Sequence, residues 1–136
     1  MPIADPLSML FPNVAVTSGI TVRVAASYLA EQSSPSAGRW FWSYHIRIEN
    51  GSDKAVQLLS RTWRIRDGRG NLHEVRGEGV VGETPLIAPG ASFDYVSGCP
   101  LDTPTGSMEG AYQMVDEEGR AFEVAIPRFA LLSPLN

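Results

Sequence analysis

The chain has 136 residues, enough for one domain that buries a hydrophobic core without disulfide or metal staples. Its 11 basic and 15 acidic residues leave a formal charge of -4, which excludes the broad basic face that nucleic-acid binding requires. With 43% hydrophobic and 19% charged residues the balance is globular, and 13 Gly with 10 Pro suit many short strands joined by turns.

Residues 1–19 carry three prolines and little periodicity, and are expected to form a loosely ordered N-terminal arm. They lack a basic stretch followed by an apolar run, so no signal peptide is expected. Residues 20–132 are expected to form the folded domain. Val22, Val24, Ala26 and Tyr28 alternate with polar neighbours, the period of a strand with one buried face. After a polar loop, Trp40, Trp42, Tyr44, Ile46 and Ile48 give the cleanest alternation, which Asn50-Gly51 ends with a turn signal. Val56 and Leu58 open a third strand whose phase then shifts to Leu59, Arg61, Trp63 and Ile65; that slip requires a β-bulge or kink. Asp67 to Asn71 reads as a hairpin turn into a strand over 72–76, and a Gly/Pro-rich loop follows over 77–90. Further strands are expected over 92–97, with Phe93 and Tyr95 in phase, and over 107–115, with Met108, Tyr112 and Met114 in phase. The last strand turns Phe122, Val124 and Ile126 inward, and Pro127 ends regular pairing or marks an edge. About seven strands and no helical periodicity predict an all-β, immunoglobulin-like sandwich, with a small barrel as the alternative.

Gly77-Glu78-Gly79-Val80-Val81-Gly82 fits G-x-G-x-x-G. A dinucleotide fingerprint needs a helix directly after it, and Pro85, Pro89 and Gly90 prevent one. Gly77, Gly79 and Gly82 could still line an anion-binding nest beside Arg61 and Arg76, since a hairpin closing around Arg69 sets Arg61 opposite Gly77. Arg61 also lies in the buried phase of its strand and calls for a partner. The plainer account pairs Arg61 with a nearby glutamate and leaves the glycines as turn residues. Val80, Val81, Leu86 and Ile87 give the same loop an apolar character: they either form a protein-interaction surface or fold back onto the core.

Catalytic and metal signals are sparse. His45 and His73 sit on different strands, and one cysteine with two histidines does not furnish the usual structural zinc site. Cys99 has no base adjacent in sequence, so a hydrolase using Cys99 or a metal is the weakest reading. No catalytic residue, metal ligand or cofactor is assigned. The longest apolar run, Phe129 to Leu132, is far short of the ~20 residues a membrane span needs. A lone thiol suits a reducing compartment, and the cytoplasm is the expected location.

Val56-Gln57-Leu58-Leu59-Ser60-Arg61-Thr62-Trp63, the stretch from Val75 through Gly90, Ser97-Gly98-Cys99-Pro100-Leu101 and the stretch Gly106 to Met114 together resemble the ApaG proteins, over about residues 20–130. The resemblance implies an immunoglobulin or fibronectin type III-like sandwich. It also implies a connection to cobalt and magnesium efflux, and bacterial members are often encoded beside a diadenosine tetraphosphatase. Similar domains in F-box subunits of ubiquitin ligases and in a polymerase delta-interacting protein look like protein-binding modules. The family supplies no catalytic residues to transfer. The expectation is therefore a non-catalytic module whose partner is another protein, without nucleic acid or membrane insertion. The alternative is a binder of a phosphorylated ligand such as a nucleotide polyphosphate, or of a divalent metal, at the Gly77–Gly82 loop.

Overall fold

The computed structural model describes residues 6–134. Among these residues nine antiparallel strands form two facing sheets. The first has the order β1 (Asn13–Thr17), β2 (Ile20–Tyr28), β3 (Trp40–Asn50), β7 (Ser92–Leu101). The second has the order β5 (Leu72–Glu78), β4 (Val56–Asp67), β8 (Thr105–Asp116), β9 (Ala121–Leu132). The two-residue β6 (Leu86–Ile87) pairs with β4 near its start, along the flank that β5 occupies farther on. A short helix, α1 (Pro6–Leu10), precedes β1, and two 3-10 turns lie between β2 and β3.

The inward faces are those the alternations predict. Trp42, Tyr44, Ile46 and Ile48 on β3 face Leu58, Trp63, Tyr112 and Phe129 from the second sheet. Tyr44, Trp63 and Phe129 pack as a triangle with ring centroids 5.4 to 5.9 Å apart, mostly edge to face as ring quadrupoles favour. The phase slip of the third strand is a bulge between Leu58 and Ser60. Leu59 is the residue pushed out into solvent, rather than the first inward residue after the shift; Arg61 and Trp63 recover the inward phase. Pro127 lies within a second irregularity, where the β8–β9 register passes from Gly110↔Ile126 to Met108↔Phe129. Pro127 thus marks a skipped position, and the strand continues to Leu132.

The expected loose arm is corrected from residue 6 onward, while residues 1–5 lie outside the described residues. Asn13–Thr17 pairs with Ile20–Val24 around a tight turn whose central residues, Ser18 (φ 51°) and Gly19 (φ 79°), both have positive φ. That is the geometry whose twist matches a two-residue hairpin. A five-residue alternation behind three prolines is too short to register as periodic, which is why it reads as coil.

Candidate functional site

Sequence reading gathers its candidates around the loop between β5 and β6, and the register brings Arg61 and Gly77 together: Arg61 pairs with Gly77 and Thr62 with Arg76. Arg61 and Arg76 nevertheless point to opposite faces. The Arg61 guanidinium lies over Gly77, close enough that a Cβ there would stand 2.9 Å from its terminal atoms. It reaches the loop and donates from Nη1 to the carbonyls of Glu78 (3.0 Å) and Gly79 (2.6 Å). Backbone oxygen, rather than a glutamate side chain, thus supplies the partner that a half-buried arginine requires.

The amides of Gly79, Val80 and Glu83 are also engaged. Gly79 N–H donates to Leu59 O, and Val80 and Glu83 exchange N–H···O bonds in both directions. Between them Val81 (φ 44°) and Gly82 (φ 82°) form the turn. Gly79 cannot carry a side chain, since its Cβ would lie 2.2 Å from Glu83 O at a φ of +60°. Two of the predicted roles thus separate. Val80 and Ile87 are core residues at 1% and 2% exposure, held inward by the turn and by the β4–β6 pairing. Val81 and Leu86 stand in solvent at 53% and 71%. A β-branched residue in the left-handed region costs about 1–2 kcal/mol relative to its normal conformation, so the turn displays Val81 at a local energetic expense.

Arg76 belongs to the outer face of the second sheet. A groove of about 790 Å³ crosses that face, floored by Thr62, Ala111 and Ala125 and flanked by Arg64, Arg76 and Glu123. Arg76 donates to Glu74 from Nε and Nη2 at 3.1 and 3.0 Å, with both side chains largely exposed. Arg64 makes no ion pair or side-chain hydrogen bond among the described residues. Neither the groove nor Arg64 emerges from the sequence as a candidate; the outward alternation Ser60, Thr62, Arg64 is the signal that could have shown it.

The interior holds a polar pair that separate strands bring together. Tyr95 from β7 and Tyr112 from β8 meet across the sandwich with hydroxyls 2.5 Å apart. Burial pushes both phenols well above their ordinary range, so both stay protonated at neutral pH. Cys99 is buried, donates weakly to Pro100 O, and has its pKa pushed up to about 11 by burial. A thiol of that kind is a poor nucleophile at neutral pH. His45 bonds Asp94 Oδ1 at 3.1 Å on the outer face of the first sheet, whereas His73 lies 3.7 Å from Asp67 on β4, so the two histidines serve separate surfaces. Among the described residues no three His, Cys, Asp or Glu side chains gather in a metal-binding arrangement. No helix there is long and apolar enough to cross a membrane.

The ApaG domain matches residues 30–116, the stretch that contains the bulged β4, the glycine loop and the tyrosine pair. The chain belongs to the ApaG domain family. This ApaG domain is 53% identical over 120 residues to Protein ApaG of Methylobacterium sp. (strain 4-46), covering 88% of this chain and 92% of the relative. Protein ApaG of Rhodospirillum centenum is likewise 53% identical, over 119 residues, with the same coverage. The crystal structure of the ApaA protein from Bordetella pertussis superposes with a TM-score of 0.82 at 48% identity, covering 86% of this chain and 95% of that one. The fold of this ApaG domain is thus the sandwich that the alternating strands predict, of the fibronectin type III-like kind that the resemblance implies.

Proposed function

We propose that this ApaG domain is a non-catalytic protein-binding module whose contact surface is formed by the glycine loop and β6. The observation that carries this is the loop's division of labour. Val80 and Ile87 are buried as fasteners, while Val81 and Leu86 are held outward on a hydrogen-bonded turn. A valine kept in the left-handed conformation with its side chain in water gives the fold nothing, and such strain concentrates at binding loops. Exposed apolar side chains on a rigid turn contribute to association by leaving water, with little ordering entropy to lose. In this reading the connection with cobalt and magnesium homeostasis acts through a cytoplasmic partner.

The test uses Val81→Asp and Leu86→Glu, with Val96→Asp on the outer face of β7 as a control at a comparably exposed valine. Both loop variants should keep the wild-type melting temperature within a few degrees and lose the proteins that wild type retains, while the control retains them. Retention of the same proteins by all three would remove the loop from the interface.

A second reading is favoured by Arg64, a cation that has no side-chain partner among the described residues and lies beside Arg76 in the outer groove. There an anionic ligand such as a nucleotide polyphosphate would bind side chains, the Gly79 and Val80 amides being engaged. Saturating polyphosphate should then raise the melting temperature of wild type and not of Arg64→Ala. Equal shifts, or none, would dismiss it.

A further inference from the structure

β5 is the one long strand exposed on both faces. Leu72, Val75 and Arg76 are open to solvent, and only Gly77 among its seven residues is half-buried. It pairs with β4 on one side, and among the described residues its other edge carries no strand. Exposed edges are commonly blunted by proline, a bulge or a covering element, and among the described residues β5 has none of these. Its charges, however, are arranged in a particular order.

Hydrogen-bond direction determines which residues the free edge offers. Gly79 N–H donates to Leu59 O and Asp67 N–H to Asn71 O, so the pairs flanking the ladder are hydrogen-bonded ones. Alternation along the register then turns His73, Val75 and Gly77 toward β4. Leu72, Glu74, Arg76 and Glu78 aim their N–H and C=O groups away from it. A strand added antiparallel must face these four residues with four of the same orientation.

Consider a second β5 as that strand. Orientation admits only registers that set edge-facing residues opposite one another. Centring on Glu74 places glutamate against glutamate, and centring on Arg76 places arginine against arginine. Centring on Val75 sets Glu74 opposite Arg76 and Arg76 opposite Glu74 and pairs Leu72 with Glu78, so all seven residues of the strand are matched. Oppositely charged cross-strand neighbours stabilise a sheet and like charges oppose it. On the other face Val75 meets Val75 across a non-hydrogen-bonded position, where side chains approach most closely. In the single chain Glu74 and Arg76 can satisfy each other only along their own strand.

We propose that β5 is a homodimerisation edge: two chains pair antiparallel about Val75, joining their second sheets into one continuous sheet across a two-fold axis. This goes beyond the loop surface proposed above, and the variants that disable that surface, Val81→Asp and Leu86→Glu, leave it intact. A contact of one strand pair is small, so the dimer has a Kd on the order of micromolar or weaker.

Sedimentation equilibrium of the full chain from ~1 µM to ~1 mM, spanning that range of affinity, tests it. Wild type should approach twice its 14.8 kDa mass at the upper end. Glu74→Arg and Arg76→Glu, each alone, should remain monomeric, because each sets two like-charged pairs face to face. An equimolar mixture of those two variants should associate one to one, as should the double variant Glu74→Arg/Arg76→Glu with itself. Arg76→Pro removes an N–H that points off the edge, so it should keep the fold and abolish association. Val75→Cys should cross-link under mild oxidation, the opposed Cα atoms being ~4.5 Å apart, within disulfide range. Cys99 is buried and does not compete. A wild type that stays monomeric throughout, or a dimer indifferent to both charge reversals, overturns the proposal. A monomer that instead adds an unrelated strand-forming peptide along β5 overturns the choice of a second copy as occupant.

Discussion

The two long edges of the sandwich are built differently. Along one, β1 packs beside β9, and the Thr17 hydroxyl accepts the Ala125 N–H at 3.1 Å, so the sheets are tied where they end. Along the other, β5 extends past the cover of the first sheet, exposed on both faces, and continues through the glycine loop into β6. The closed edge is maintained by burial. The open edge is maintained by backbone pairing with β4 and by the Arg61 fork on the Glu78 and Gly79 carbonyls. Burial therefore holds one side of the domain, and backbone pairing holds the other.

The sharpest way to break the comparison is to cut side chains on both sides. Leu131 on β9 is fully buried, and Leu131→Ala should cost about 2–5 kcal/mol in denaturant unfolding through transfer and cavity terms. Val75→Ala on β5 should change stability by less than ~0.5 kcal/mol, as exposed substitutions do. Comparable losses at both positions would mean that β5 is part of the core after all.

A smaller effect is expected between the edges, at the tyrosine pair. Tyr95→Phe leaves the Tyr112 hydroxyl buried without its partner and should cost about 1–3 kcal/mol. The double variant Tyr95→Phe/Tyr112→Phe should recover part of that loss, because no orphaned hydroxyl remains. Raised phenol pKa values mean that the pair's contribution is fully present below pH ~10 and is lost as pH rises through the folded-state values. An additive double variant would show that the two hydroxyls act separately.

The smallest effect belongs to the turn that starts the open edge. Asp67 is buried, and burial raises its pKa. The Asn71 N–H, the Asn71 side-chain amide and the Arg69 N–H together outweigh that and hold its carboxyl below the usual range. With a depressed folded-state pKa, the stabilisation is present above the unfolded value near 4 and is lost as pH falls through the folded one. The melting temperature should therefore drop more gently below pH ~4 in Asp67→Asn than in wild type. Parallel acid limbs would show that this carboxylate does not tune the turn.

What the sequence made legible follows from how each feature is encoded. Strand β3 and the bulge of β4 are written in side-chain period, so Trp42 to Ile48 and the slip after Leu58 could be read directly. The fates of Val80 and Ile87 against Val81 and Leu86 could not, because in a loop the facing of each residue depends on turn dihedrals rather than on alternation. Arg61 was recognisable as needing a partner, but that partner is backbone, which no residue type announces. Tyr95 and Tyr112 were placed inward on separate strands, and only the packing of the two sheets brings their hydroxyls together. The free edge of β5 is likewise a property of strand order, visible only once β4 is known to lie between β5 and β8.

The claim that the open edge is a contact surface is tested most directly by amide hydrogen exchange at Glu74 and Arg76, measured on wild type in dilute and in concentrated solution. Both N–H groups point away from β4, so in the single chain they should exchange nearly as fast as unstructured amides. On concentration they should slow by ~10-fold or more as the edge becomes paired, while Val75 and His73, already bonded to β4, change little. Rates at Glu74 and Arg76 that do not depend on concentration would contradict pairing at this edge.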